Sequence, residues 1–486
     1  MRAISSRSPV AEILAFVEAN LELNPGNLVQ FNHPSSHHFT LLEEGDATRV
    51  EALLAEYRAR HGAGRRSTVY AAFPFCIPTQ PKDCGFCPFP KVDLGEGSAG
   101  GPRSTAVAAY LQRFERELER AAPHLGLPLV ADAVYFGGGT PNLLRADEAH
   151  AFVSLMLAAF PPRAGAEVTF EGIPYLFTQA EKVAALRAAG VTRCSIGAQQ
   201  LKDHLIKLSG RSTQTRRTVE QSVVLMQEHG LDHSVDLIFG WPQQTYEDAL
   251  DDIAMVTAWR VPHVTVYPLN QPKGIAFSSA PYVDQIVSVR ERVRMYRGIR
   301  DLLLERGYRQ VTMSDYQLVD RSHFDYENFT HDPLNTDMRA IGYSGFSRCA
   351  GSAAEPGFTW IAPHELGEYY RQVDSGRMPL RAYFRFTAAD VELSWLLNQL
   401  QEMSVPLARY REAFGKDLLV EQSSLWEALE RIGWVAIADD TLRLCGDGVF
   451  YTALIQRLLA FDRDQELRQH RTMIGYRASG RFLPTV

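Results

Sequence analysis

The chain has 486 residues and a net charge of −7, with 45% hydrophobic and 22% charged residues. This composition is typical of a globular protein with a large core, and the length allows two or three domains. The negative charge gives no general attraction to nucleic acid or anionic membranes, and no apolar run is long enough to cross a bilayer. We therefore expect a cytoplasmic protein without a nucleic-acid or membrane partner.

The first 65 residues are predicted to form a helical segment. Val10, Ile13, Leu14 and Val17 recur at helical spacing, whereas Glu12 interrupts the apolar run that a signal peptide needs. A loop rich in Asn, Pro, Ser and His follows, and a second helix ends before residue 66.

Residues 66–350 alternate short β-rich runs with amphipathic helices. Strands are predicted at 67–73, 132–137, 166–172, 192–197, 233–240, 263–269 and 308–313, and helices at 107–121, 146–160, 178–189, 215–229, 246–257 and 284–306. Such regular alternation indicates parallel βαβ units, so the fold class is α/β, with a complete or partial barrel. In such barrels the chemistry lies at the C-terminal ends of the strands.

The last third of the chain predicts a linker and a smaller domain. Gly and Pro punctuate the stretches 350–366 and 373–381, which indicates a linker over residues 351–385. Residues 386–486 form apolar helix faces, and the run 441–445 before a glycine turn could be a short strand. This order favours a winged-helix-like domain, and a plain helical appendage is the alternative.

Three cysteines lie in one short segment directly after the first predicted strand. Cys76, Cys84 and Cys87 form a C-x7-C-x2-C arrangement. Three thiolates can bind three irons of a 4Fe–4S cluster and leave the fourth iron open for a substrate's amino and carboxylate groups. Structural zinc is the alternative, but it prefers four ligands, and the nearest downstream histidine is His124.

The glycine-rich run YFGGGTPNLL (135–144) follows the second predicted strand. Glycines let a backbone approach a ligand closely. At this strand end the run could hold a ligand's amino group and carboxylate through backbone polar groups.

Several segments together resemble a known family. The runs are VYAAFPFC (69–76), YFGGGTP (135–141), FEGIP (170–174), RCSIGAQQ (193–200), LSGR (208–211) and VDLIFGWPQQTYEDALDDI (235–253). They resemble, in the same order, the coproporphyrinogen III dehydrogenase-like branch of the radical S-adenosylmethionine (SAM) enzymes. That resemblance implies a partial (β/α)6-type radical SAM barrel.

The resemblance also implies cofactors and site residues. It implies a 4Fe–4S cluster on the three cysteines, one SAM on the cluster and a second SAM beside it. Tyr70, Gly138 and Glu171 would surround the first SAM, with Tyr70 and Glu171 as the catalytic residues. The residues implied around the second SAM are Phe86, Gly139, Thr140, Gln199, Arg211 and Asp236.

The implied reaction begins with reductive cleavage of SAM to a 5′-deoxyadenosyl radical, with an electron donor such as flavodoxin or ferredoxin. We expect the second SAM to alkylate an sp2 carbon of a small molecule, by methylation or cyclopropanation. One alternative is oxidative decarboxylation of a porphyrinogen propionate. The other is a haem chaperone, for which His33, His37 and His38 would be the axial-ligand candidates.

Two features depart from the family pattern. The usual spacing is C-x3-C-x2-C, so four extra residues, including prolines, separate Cys76 from Cys84. The coproporphyrinogen enzyme carries a further cysteine two residues after the last ligand, where this chain has Phe89. We expect the first departure to alter the surroundings of the cluster, while the second weakens the porphyrinogen assignment.

Overall fold

The strands and helices were assigned in a computed structural model, which describes residues 4–22, 33–34, 40–41, 47–62, 64–94, 102–319 and 324–470. The strands are β1 (Thr40–Leu41), β2 (Arg66–Phe73), β3 (Phe75–Cys76), β4 (Val92–Asp93), β5 (Ala131–Gly138), β6 (Pro162–Gly172), β7 (Arg193–Gln199), β8 (Asp232–Phe239), β9 (His263–Pro268), β10 (Tyr308–Gln310), β11 (Asp315–Leu318), β12 (Thr336–Ile341), β13 (Phe346–Cys349), β14 (Phe358–Ile361), β15 (Ala382–Arg385), β16 (Ser404–Pro406), β17 (Val435–Ala438) and β18 (Thr441–Leu444).

Helices follow most of the parallel strands. They are α1 (Val10–Asn20), α2 (Ala47–His61), α3 (Pro102–Leu125), α4 (Ala146–Ala159), α5 (Pro174–Phe177), α6 (Ala180–Ala189), α7 (Asp203–Leu208), α8 (Arg216–Glu228), α9 (Tyr246–Ala258), α10 (Val289–Glu305), α11 (Asp325–Thr330), α12 (Leu366–Asp374), α13 (Ala388–Gln401), α14 (Leu407–Phe414), α15 (Leu418–Glu421), α16 (Ser423–Arg431) and α17 (Thr452–His470). None of the helices within the described ranges is both long enough and apolar enough to span a membrane.

One sheet of 13 strands positions the functional site. Its order is β1-β15-β14-β13-β12-β2-β5-β6-β7-β8-β9-β11-β10. The run from β12 through β9 is parallel, and antiparallel strands extend it at both ends. Among the described strands the order has two ends, so the sheet is a partial barrel, as predicted.

The two faces of the parallel strands carry different residues. On β5, Val134 and Phe136 are fully buried, whereas Tyr135 points to the other face and is only partly buried. Side chains alternate between the faces of a strand, so one face packs under the helices and the other lines the barrel interior. The interior is therefore where polar and aromatic side chains gather.

Threonines fix where several of the helices begin. The side chains of Thr215, Thr245 and Thr387 each accept a hydrogen bond from the backbone N–H three residues on, at the starts of α8, α9 and α13. Such N-caps satisfy donors that a helix leaves free in its first turn. Thr215 and Thr245 thereby hold the turns that lead into α8 and α9, the helices on either side of β8.

The prediction of a last barrel strand over residues 308–313 is wrong in the length and direction of that strand. β10 ends at Gln310 and pairs antiparallel with β11. The reason is a turn, in which Thr312 Oγ1 accepts the backbone N–H groups of Ser314 (3.2 Å) and Asp315 (3.1 Å) and reverses the chain. The additional parallel strand is β12 beside β2, whose polar sequence TDMRAI does not stand out.

The segment 351–385 is not an irregular linker. It contains β14, α12 and β15, and both strands belong to the large sheet. Phe358, Trp360 and Phe384 are buried, which explains why the segment folds against the sheet despite its Gly and Pro content. The division of the chain into domains at 350 and 385 stays a prediction.

The C-terminal region combines helices α13–α17 with a second sheet. Its three strands have the order β16-β18-β17, where the sequence indicated one short strand. The N-terminal helix α1 packs against α16, and Ser6 N–H donates to the Leu458 carbonyl at 3.0 Å. The first residues therefore pack on the C-terminal region, whose likeness to a winged helix stays a prediction.

A buried carboxyl predicts how stability changes with pH. Glu117 on α3 accepts hydrogen bonds from Gly342 N–H (3.0 Å) and the Tyr369 hydroxyl (2.6 Å). Burial raises the pKa of Glu117 to about 7, so the folded chain holds a proton that the unfolded chain releases at lower pH. Unfolding free energy should therefore fall as pH rises towards 7, by about 3 kcal/mol from this group.

Glu117→Gln should remove that component, because glutamine keeps the acceptor but carries no proton to lose. Denaturant unfolding near pH 5 and near pH 8 measures the change, and the variant should lose less stability than the wild type. Glu181→Gln, at an exposed position on α6, is the control and should follow the wild type. Parallel pH curves for wild type and Glu117→Gln would contradict the prediction.

Candidate active site

The three clustered cysteines come together at the C-terminal end of β2. Cys76 lies in β3, and Cys84 and Cys87 lie on the loop between β3 and β4. Asp83, Cys84 and Gly85 have φ values of 58°, 55° and 77°, a left-handed turn closed by a 3.0 Å bond from Cys87 N–H to the Asp83 carbonyl. Burial, together with the nearby Cys84 and Cys87, raises the pKa of the Cys76 thiol to about 11.

These thiols suit an iron–sulfur cluster. Within the described ranges, no three His, Cys, Asp or Glu side chains converge on a point where a single metal ion would sit. A 4Fe–4S cluster does not need that convergence, because each thiolate binds a different iron. Binding would replace the thiol protons, which offsets the unfavourable burial of thiolates.

Two predicted SAM residues contact the cysteine sulfurs themselves. Thr140 Oγ1 lies 3.1 Å from Cys76 Sγ, and Arg211 Nε donates to Cys84 Sγ at 3.3 Å. Arg211 Nη1 also donates to the Gly197 carbonyl at 2.7 Å, and the guanidinium lies 5.4 Å from the ring centre of Phe86. Thr140 and Arg211 therefore contact the cysteine loop, of which Phe86 is a part, and the resemblance did not indicate these two contacts.

The glycine run approaches the chain's own backbone. Gly139 N–H donates to the Phe73 carbonyl at 2.7 Å, and Thr140 N–H donates to the Phe75 carbonyl at 2.8 Å. A Cβ at Gly138 (φ 110°) would lie 2.7 Å from the Phe73 oxygen. Gly138 and Gly139 therefore pack against the backbone of Phe73 in β2 and Phe75 in β3. That they also hold a ligand stays a prediction.

Tyr70, Glu171 and Asp236 meet inside the barrel. A Cβ at Gly137 would lie 2.6 Å from Glu171 Oε2 and 2.7 Å from the Tyr70 hydroxyl, so both groups flank this glycine. Burial raises the pKa of Glu171 to about 8, and the nearby Asp236 adds to the increase. Asp236 Oδ2 accepts a 2.7 Å hydrogen bond from Ser195, and burial raises the pKa of Asp236 as well.

Gln199 is at the end of β7 and has a φ of 68°, which is uncommon for a residue with a side chain. Its side-chain amide folds back over Gly197, the residue whose carbonyl binds Arg211. Backbone strain of this kind is often found at binding sites. Gly138, Glu171 and Gln199 thus lie at the C-terminal ends of β5, β6 and β7, whereas Tyr70 and Asp236 lie in the middle of β2 and β8.

Tyrosines that the prediction missed line the same cavity. The rings of Tyr70 and Tyr135 stack with centroids 5.7 Å apart, and Tyr326 lies 5.0 Å from Tyr135. Tyr267 is 47% exposed, yet burial raises the pKa of its hydroxyl, and Asp315 and Asp236 add to the increase, so the hydroxyl points into the interior. Tyr135 could have been found from its alternation with Gly137, whereas Tyr326 comes from the short helix α11 and carries no such signal.

Of the three histidines predicted as candidate haem ligands, His33 is within the described residues. His33 is buried, and its Nε2 lies 2.8 Å from Asp390 Oδ1. It is therefore engaged in a structural contact between the N-terminal segment and α13. His37 and His38 lie outside the described residues.

Comparison with known proteins matches residues 80–256 to the radical SAM superfamily. The chain is 27% identical over 402 residues to an anaerobilin synthase of Escherichia coli O157:H7, covering 81% of this chain and 84% of that protein. It is 23% identical over 448 residues to an oxygen-independent coproporphyrinogen III oxidase of Paracoccus denitrificans, covering 88% and 92%. The solved coproporphyrinogen III oxidase HemN from Escherichia coli superposes with a TM-score of 0.72 at 19% identity, over 88% of this chain and 96% of that one.

Proposed function

We propose that this chain cleaves SAM and uses a second SAM to alkylate an sp2 carbon of a small molecule. The premise is that the chain belongs to the coproporphyrinogen III oxidase-like family of radical SAM enzymes. Cys76, Cys84 and Cys87 would hold the 4Fe–4S cluster. When bound and reduced by a flavodoxin- or ferredoxin-type donor, the cluster supplies the electron that splits SAM into methionine and a 5′-deoxyadenosyl radical.

Tyr70 and Glu171 would bind the first SAM on the inner face of the barrel. Glu171 is buried and its pKa is raised to about 8, so an ammonium group beside it would favour the carboxylate. Tyr70 can donate a hydrogen bond from its hydroxyl on the opposite side of Gly137. The two side chains would thus orient the amino end of SAM towards the cysteine loop.

The observation that supports a second SAM is a second carboxylate in the same cavity. Asp236 lies close enough to Glu171 to raise its pKa, yet each stands on its own strand with its own hydrogen-bond partner. Two like charges in one sheltered cavity repel unless each has a cationic or hydroxyl partner. Asp236 and Gln199 would bind a ribose or amino group, and Arg211 would lie between this site and Cys84.

Phe89 and the tyrosines of the cavity favour alkylation over decarboxylation. Phe89, where the coproporphyrinogen enzyme carries a cysteine, has no thiol and is 59% exposed. Tyr135, Tyr267 and Tyr326 offer aromatic faces and hydroxyls, which suit an uncharged conjugated molecule.

Anaerobic reconstitution with iron and sulfide, followed by SAM and dithionite, tests the proposal. We expect 5′-deoxyadenosine, S-adenosylhomocysteine and a product whose mass has gained carbon. Loss of carbon dioxide from a porphyrinogen would replace alkylation with decarboxylation. Tight stoichiometric haem without SAM turnover would replace both with a haem chaperone.

Asp236→Asn should separate the two SAM sites. Asparagine keeps the acceptor for Ser195 but loses the charge, and a hydrogen bond to a charged group is worth about 1.5–3 kcal/mol. We expect S-adenosylhomocysteine to fall roughly ten- to a hundredfold, while 5′-deoxyadenosine is still formed.

The matched control is Asp252→Asn. Asp252 is also buried, but it lies on helix α9, outside the cavity. Its carboxylate accepts a 3.3 Å hydrogen bond from the Leu201 N–H. The control should keep the wild-type ratio of the two products. If Asp236→Asn loses both products together, Asp236 serves the first SAM, and the assignment to a second site is wrong.

A further inference from the structure

An almost completely buried lysine, Lys91, lies at the cysteine loop. The Lys91 side chain is 2% exposed, and its Nζ lies 3.4 Å from Asp83 Oδ1. Lysine is rarely buried to this extent unless it has an anionic partner. Asp83 directly precedes Cys84, so the ion pair belongs to the cysteine loop.

The backbone fixes Lys91 relative to Cys76. The next residue, Val92, pairs with Phe75 in the small parallel sheet, and its N–H donates to the Pro74 carbonyl at 2.8 Å. Burial alone would lower the pKa of Lys91, but Cys87 and Cys76 raise it above the ordinary value. Together with the ion pair to Asp83, this strand pairing holds the ammonium at the cysteine loop.

A fixed charge at this place acts on electron transfer. Reduction adds a negative charge to a cluster that three thiolates already make negative, and the local charge is one determinant of the potential. In a sheltered site such charges interact more strongly than in water. A cation at the cysteine loop stabilises the reduced form, and an anion at Asp83 opposes it.

We propose that Lys91 is a positioning residue that makes the cluster easier to reduce, and that Asp83 holds it in place while partly offsetting its charge. The inference rests on the proposed function, since it requires the cluster on Cys76, Cys84 and Cys87. The long spacing between Cys76 and Cys84 then has a consequence, because the extended loop ends on Asp83, the partner of Lys91.

Redox titration followed by electron paramagnetic resonance, on anaerobically reconstituted protein without SAM, tests the proposal. Lys91→Met should lower the equilibrium constant for one-electron reduction at least tenfold, which corresponds to about 59 mV. Asp83→Asn should move the potential in the opposite direction. A merely structural disturbance would not give shifts of opposite sign.

The outcomes separate this inference from the function on which it rests. If wild-type protein assembles no cluster, by iron content and spectrum, the proposed function fails. If the cluster assembles and both variants keep the wild-type potential, the role of Lys91 is overturned. Should Lys91→Met assemble no cluster, Asp83→Asn decides, and an unchanged or lowered potential in that variant overturns the proposal.

Discussion

Replacing Cys84 with alanine should abolish cluster assembly while the chain stays folded. Two thiols cannot bind three irons, and the two remaining thiols, Cys76 and Cys87, have no third cysteine near them in the described residues. We expect iron content near background, no visible iron–sulfur absorption and no 5′-deoxyadenosine. Iron analysis and absorption spectra after anaerobic reconstitution measure this, with circular dichroism to check folding.

Cys194→Ala is the matched control, because it removes the same atom from another buried position. Cys194 lies in β7 with no exposed surface, and burial raises the pKa of its thiol to about 12. This variant should retain wild-type iron. If Cys84→Ala also retains wild-type iron and absorption, the assignment of the ligands is wrong.

Gly138→Ala should have the second largest effect. Its backbone φ of 110° is strained for an L-residue, at about 1–3 kcal/mol, and the added Cβ would lie 2.7 Å from the Phe73 oxygen. That oxygen already accepts the Gly139 N–H, so the strand before Cys76 would have to move. We expect iron content and 5′-deoxyadenosine formation to fall together, by at least about tenfold.

Gly165→Ala separates backbone strain from steric conflict. Gly165 in β6 also has a positive φ, 79°, but nothing lies within 4 Å of the added Cβ. We expect normal iron content and normal SAM cleavage in this variant. Equal losses in both variants would mean that strain, and not contact with Phe73, explains the effect at Gly138.

The order of strands around the site could be predicted from the sequence. The apolar runs that end at Phe73, Gly138 and Phe239 are strands β2, β5 and β8, and side chains at their ends meet because parallel strands share a carboxyl edge. The cysteine spacing placed the three thiols on one loop after the first of these strands. Local patterns were sufficient here because each feature lies within a few residues of its strand.

Contacts between distant loops could not be predicted in the same way. Nothing in LSGR shows that Arg211 reaches Cys84, since that contact depends on how Gly210 packs against the Gln80 backbone. Likewise Tyr326 enters the cavity because α11 packs against β5, a tertiary contact without periodicity. Turn residues such as Thr312, whose hydroxyl reverses the chain, also escape a search for apolar repeats.

The backbone hydrogen bonds between the glycine run and the strands before Cys76 have a consequence for how such an enzyme can evolve. Gly139 and Thr140 hold Phe73 and Phe75 through main-chain groups, which are the same whatever side chains surround them. Mutation of Tyr267 or Tyr326 therefore alters the walls of the cavity without loosening that attachment. A lineage built on this scaffold can acquire new substrates while it inherits the radical-forming half unchanged.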